Sequence, residues 1–401
     1  MRSRDADDAN EGELQVRERD DHQMLADRLE RLLGYLEHDP NNSQLLADAA
    51  STAHDMGLHR RVDDLLVRLE QIQPLSPPLQ NLRGLSCLAQ SKFEQARAVF
   101  STLAAAQPDP VVLYNLAYTE AMLEEYAGAV EILTDAVCDG EPRAIPLRVL
   151  CLHQLGKIDA AIAIGEVHAE HLSVGPEVCG MLANLYFDQG DIDQARMYAQ
   201  RHAEEPAALT IFGLLAIENE DDDNARMYLA RALTLTPENG RANLGEGLRQ
   251  FRCGNFADAA AHLDKAATLL SKHPGSWLSA GWAYLLLGQL EVALERFEHA
   301  TLIDRGFAEA LGAQAMAHHL LGHSNEADRL CGIALRLDAD CLAALRTASL
   351  LAEESGDHAA SEILEQRFWQ TSPARDGRRL VDLLGRYGGQ SLSQLTQRRV
   401  H

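Results

Sequence analysis

Sixteen histidines and seven cysteines are the residues of this 401-residue chain with the widest scope for chemistry. The densest histidine group is His318-His319-x-x-x-His323. Imidazoles four apart on one unbroken helix, as His319 and His323 would be, share a face and can hold a divalent metal. Gly322 stands between them where a glycine would end the helix, so the alignment is expected to fail and no metal site is assigned. The run Glu218-Asn219-Glu220-Asp221-Asp222-Asp223 carries enough carboxylates for calcium but lacks the glycine and distant glutamate of a twelve-residue calcium loop. It reads as a solvated turn whose acids offset the dipole of the following helix. The cysteines (Cys87, Cys138, Cys151, Cys179, Cys253, Cys331, Cys341) are odd in number and never spaced C-x-x-C. They suggest buried thiols, with neither a disulfide framework nor a zinc site. The phosphate-cradling G-x-x-x-x-G-K-[ST], the G-x-G-x-x-G of a strand–helix turn, H-E-x-x-H and G-x-S-x-G are all missing. No catalytic residue, cofactor or metal is expected, and the chain is read as a non-enzyme.

The elements that would position any functional residue come from a repeat. A residue that is usually glycine recurs between apolar helical stretches, at Gly57, Ser91, Glu124, Gly156, Gly190, Glu220, Gly254, Gly288, Gly322 and Gly356. The spacing is close to 34 residues, with a drop to 30 between Gly190 and Glu220. Seven positions earlier stands a small residue in most units (Ala50, Gly84, Ala117, Ala183, Gly213, Gly247, Gly281, Ala315), and five positions later an alanine (Ala96 to Ala327). Two antiparallel helices approach closely where small residues face each other, and larger ones fill the space around that contact. The turn residue ends the first helix in a left-handed conformation, and prolines such as Pro40, Pro74, Pro108, Pro237 and Pro373 close the unit. One pair cannot bury its apolar stripe, whereas stacked pairs can.

This pattern resembles the tetratricopeptide repeat. The fullest copy runs Trp277, Gly281, Tyr284, Gly288, Ala293, Phe297, Ala300, and a second passes through Ala183, Tyr186, Gly190 and Ala195. The resemblance implies an all-α, right-handed superhelical solenoid of about ten helix pairs over 43–373. An N-terminal capping helix (23–42) and a C-terminal one within 374–401, with a basic tail, would close its ends. Residues 1–22, with eight acids and four arginines, are expected to be disordered. Pro142, Pro146 and Gly165 mark the fourth pair as the expected bend. In the family the first helix of each pair lines a concave face. Carried onto this sequence, that face holds Tyr114, Tyr118, Leu150, Asn184, Phe187, Leu214, Leu248, Phe251, Leu278, Trp282, Leu285 and Met316, with Arg241, Arg252 and His319 among them. Tyr118, Leu150, Leu214, Leu248, Trp282 and Met316 occupy one equivalent position, which predicts a continuous apolar groove for a peptide or protein segment. No basic-plus-asparagine pair stands where some relatives clamp a terminal carboxylate.

Asp and Glu outnumber Lys and Arg by 60 to 36, a formal charge of −24. Such a surface repels phosphate backbones, so nucleic acid is not an expected partner. No apolar run reaches the length of a membrane span or a secretory h-region. A cytoplasmic adaptor or scaffold follows as the leading expectation. A chaperone for secreted or assembling subunits, of the type III secretion kind, and a regulatory subunit of an enzyme are its alternatives. Arginine supplies 32 of the 36 basic residues, a composition in keeping with a bacterial source.

Overall fold

The computed structural model describes residues 22–371. The expected disorder of the acidic N-terminus, apart from residue 22, and the expected C-terminal capping helix and basic tail lie outside the described residues. Among the described residues the chain is helical, with no strand. It forms two compact units whose boundary falls between Leu185 and Tyr186.

In the first unit, helix α1 (22–38) precedes the pairs α2 (Ser43–Asp55) with α3 (His59–Glu70) and α4 (Pro77–Ala89) with α5 (Phe93–Ala106). Helix α6 (Pro110–Met122) is followed by a broken partner, α7 (Tyr126–Ile132) and α8 (Asp135–Gly140); then come α9 (Ala144–Gln154) and α10 (Ile158–His168). Helix α11 (Gly175–Gln189) contains the boundary. The second unit continues with α12 (Ile192–Arg201), α13 (Pro206–Glu218), α14 (Asp222–Leu235), α15 (Gly240–Arg252), α16 (Phe256–Leu269) and α17 (Pro274–Leu286). It ends with α18 (Leu290–Ile303), α19 (Ala308–Leu320), α20 (Ser324–Leu337), α21 (Leu342–Glu354) and α22 (His358–Thr371).

The ten turn positions read from the sequence are the ten residues of positive φ among those described, from +56° at Ser91 to +84° at Gly322. Each ends a first helix in the left-handed region, and the next amide reaches back five residues. Leu58 N–H donates to Ala53 O at 2.9 Å, and Glu125 N–H to Glu120 O at 2.9 Å. Ser91, Glu124 and Glu220 hold this conformation with a Cβ, at a cost of about 1–2 kcal/mol each. Between the helices of a pair the small residues are where contact is tightest. A Cβ on Gly213 would stand 2.5 Å from Leu229 Cγ, one on Gly247 2.6 Å from Leu263 Cγ, and one on Gly281 2.4 Å from Phe297 Cε1. Ala96, Ala129, Ala161, Ala195, Ala225, Ala259, Ala293 and Ala327 are wholly buried.

Two irregularities have local causes. The 30-residue interval corresponds to α12, which at ten residues is a turn shorter than the 14-residue α14. The helix interruption falls before the fourth pair, at Leu133–Thr134, where ψ moves to 63° and then 168°. Leu133 is fully buried there, and α8 turns in against the start of α6, so that a Cβ on Gly140 would stand 2.6 Å from Pro110 Cγ. In the fourth pair itself α9 starts only at Ala144, and Leu182 fills the space that Gly165 leaves.

Candidate functional site on the first helices

In the first unit, the residues six before each turn stay accessible. Tyr118 is 39% exposed and Leu150 40%. On α6, Val111, Tyr114, Tyr118 and Met122 recur at intervals of three and four, so they form one stripe along the helix. Val111 and Met122 are exposed and Tyr114 is half-buried. The Tyr114 and Tyr118 rings lie 6.3 Å apart, and the Arg143 guanidinium sits 4.8 Å from the Tyr114 ring centre. Arg143 is held by a two-pronged bond to Glu141, Nε to Oε1 at 2.8 Å and the second prong at 2.9 Å. Burial pushes the Tyr114 hydroxyl above its ordinary pKa, partly offset by Arg143, so the ring presents a neutral O–H at neutral pH. Asn184, the polar interruption, donates to Gly180 O at 2.9 Å, while its buried Oδ1 has no partner. This is an aromatic and aliphatic surface edged by one pre-set guanidinium. Such a surface suits docking of another polypeptide, because tyrosine and arginine bury much area with little loss of freedom.

Much of the equivalent face of the second unit is closed by its own packing, and the expectation of exposed groove residues is corrected for Leu214, Phe251, Trp282, Leu285, Met316 and His319. Trp282 is 2% exposed, Met316 0%, Leu285 0%, Phe251 5%, His319 4% and Leu214 9%. The reason is close approach between successive first helices. Gly245 on α15 lies against Leu214 on α13, and Gly312 on α19 lies so near Ala343 and Ala344 on α21 that no Cβ would fit. Trp282 packs edge-on to Phe297 at 5.3 Å, and Phe251 edge-on to Phe256 at 5.4 Å. Leu248 and Leu278 are half-buried against the same core, and Phe187 is also half-buried. The cations are committed as well: Arg241 pairs with Asp188 and Arg252 donates to Ile217 O. His319 Nε2 lies 3.8 Å from Glu354.

Arg143, Glu141, Val111 and Met122 were not singled out from the sequence. Arg143 precedes α9 and is brought over Tyr114 of the preceding pair only by the stacking, which a sequence does not display. The stripe of Val111 and Met122 was legible in the three- and four-residue spacing.

The cysteines and the acidic turn play structural parts. Burial pushes the Cys151 thiol up to about 11 and the Cys331 thiol to about 12, which keeps both protonated and inert. Among the described residues no group of three or more metal-ligating side chains is arranged around a common point. The acidic turn at 218–223 caps a helix, with Asp221 accepting from Asn224 N–H at 3.2 Å.

Repeated helical hairpins with left-handed turns and small-residue contacts define an all-α repeat protein. Tetratricopeptide-repeat models match residues 81–145, 212–276 and 244–301, and a second model of the same repeat matches 176–201. The chain carries tetratricopeptide repeats. Among solved structures it is similar to the APC/C hetero-tetramer Cut9–Hcn1, at 15% identity over 86% of this chain and 76% of that one, with a TM-score of 0.56. Shorter likenesses are to PilF of Pseudomonas aeruginosa (15% identity, 50% of this chain and 92% of that one, TM-score 0.41) and to MamA (17%, 40% and 93%, 0.35). No curated protein matches the chain in sequence. Repeats of this family support protein–protein interaction. Among the described residues no helix is long and apolar enough to cross a membrane.

Proposed function

We propose that the protein is a non-enzymatic scaffold that docks a segment of another protein on the first-helix face of its first unit, at Tyr114, Tyr118, Met122 and Leu150. The observation that carries this reading is the contrast at one repeat position. Tyr118 and Leu150 are open to solvent, whereas Trp282 and Met316 are spent on internal packing. Arg143, fixed by Glu141 and stacked on Tyr114, supplies a polar edge that orients the docked segment. A cytoplasmic setting fits the seven cysteines, none of them disulfide-bonded and six of them buried.

Affinity capture with the wild-type chain and with Tyr118→Ala and Leu150→Asp tests the proposal, with circular dichroism as the folding control. Loss of the same captured protein in both variants, with helicity intact, is the expected result. Capture that survives both substitutions would place the docking surface elsewhere. Trp282→Ala serves as the counter-case: it should lower helicity or melting temperature, since that ring belongs to the core.

A further inference from the structure

The left-handed residue Gly322, which separates His319 from His323 on different elements, brings a different pair together. His318 lies in the last turn of α19 and His323 is the residue immediately before α20. The His323 amide donates to His318 O at 2.8 Å, so the backbones of the two residues are locked to each other. Their Nδ1 atoms lie 3.2 Å apart, with ring centres 5.5 Å apart and planes inclined by 49°. His323 is exposed and His318 half-buried, which leaves the pair open to ions from solvent.

We propose that His318 and His323 form a two-imidazole site for a late first-row divalent cation of the Zn(II), Ni(II), Cu(II) class, bound between the two Nδ1 atoms. Metal–imidazole bonds of about 2.0–2.1 Å at a tetrahedral angle set two nitrogens about 3.3 Å apart. The separation of 3.2 Å already meets that span, so binding needs ring rotation and no movement of the backbone. In the metal-free protein the same contact is an N–H···N hydrogen bond; as the cation binds, the donor ring gives up its Nδ1 proton to solvent and takes one up at Nε2. Each Nε2 then carries the N–H, and water fills the open coordination positions. Imidazole nitrogens select this part of the first row over Mg(II) and Ca(II), which want oxygen. The carboxylates of Glu298 and Glu326 act on His318 with a favourable field, opposed by Arg329, whose guanidinium is itself held by Glu326.

Zn(II) titration of the chelator-treated full chain by calorimetry tests the site, with His318→Ala, His323→Ala and the milder His323→Gln as variants. The wild type should bind one equivalent that each variant loses or binds at least about tenfold more weakly. Cu(II) added at one equivalent should show nitrogen couplings in its paramagnetic resonance spectrum that weaken in the variants. An identical number of equivalents and identical affinity in wild type and folded variants would overturn the proposal, as would the absence of binding to the wild type.

Discussion

Replacing Gly281 with alanine adds one methyl group, and its place is already filled. The Cβ would stand 2.4 Å from Cε1 and 2.5 Å from Cδ1 of the Phe297 ring, which is fully buried and packs edge-on to Trp282. A rigid ring offers no flexible end to swing aside, so α17 and α18 must part. Overpacking of that kind costs up to about 3 kcal/mol. Alanine recovers about 1 kcal/mol of helix propensity, which leaves a net loss of about 2 kcal/mol. For a unit of some 200 residues that lowers the melting temperature by roughly 4–8 °C. The same substitution at Gly34, in α1, meets no atom within 4 Å and should stabilise by up to about 1 kcal/mol. Thermal and urea melts of the two single variants read the opposite signs. Adding Phe297→Leu to Gly281→Ala should recover part of the loss, because the branched side chain vacates the ring plane. If both glycines respond with the same sign, or if the double variant is simply additive, close packing at the small residues is not what fixes the helix pairs.

Three further outcomes follow from the same structure. Ser91→Gly and Glu220→Gly relieve left-handed strain at exposed turns and should each raise stability by about 1 kcal/mol in urea melts, whereas Gly254→Ala should lower it by a similar amount. Asp63 on α3 is opposed by burial, but hydrogen bonds from Gln90, Ser86 and Lys92 of the next pair outweigh it and hold its pKa below the ordinary value. Its contribution is therefore present above the unfolded pKa and is lost as pH falls through the folded one. Asp63→Asn should cost about 1.5–3 kcal/mol at pH 7, with the gap to wild type closing under acid. Glu309 on α19 shows the reverse: burial raises its pKa even though Oε1 accepts from Leu342 N–H at 2.9 Å, and its Oε2 is buried without a partner. Its stabilisation is complete below the unfolded pKa and is lost as pH rises through the raised folded value. Glu309→Gln should match or exceed wild type at pH 7 and lose that advantage towards pH 4, as read by melts across that range.

Much of the fold was legible because a repeat states its rules many times. Ser91, Glu124 and Glu220 could be placed in left-handed turns only because seven glycines stood at the matching positions. Gly84, Gly213, Gly247 and Gly281 declared their contacts in the same way. The break at Leu133–Thr134 carried no such mark, since neither proline nor glycine stands there and the cause is burial of Leu133 and closure of α8 onto Pro110. The site was read less well for a related reason. Repeat register places Tyr118, Leu150, Trp282 and Met316 at one position, but register says nothing of how near the neighbouring first helix comes. In the second unit Gly245 and Gly312 bring those helices together and bury what register alone leaves open. The His318–His323 pair was hidden for a similar reason: a four-residue helical count discards residues five apart, which a left-handed turn then brings into contact.

The most direct test of the docking claim places a photoactivatable phenylalanine analogue at Tyr118, at Leu150 or, on the second-helix side, at Leu302, which is 71% exposed. Irradiation in the cells that produce the chain, followed by mass spectrometry of the adducts, should give the same partner segment from positions 118 and 150 and none from 302. Adducts from 302 that equal or exceed those from 118 and 150, or no specific adduct at either first-helix position, would contradict it.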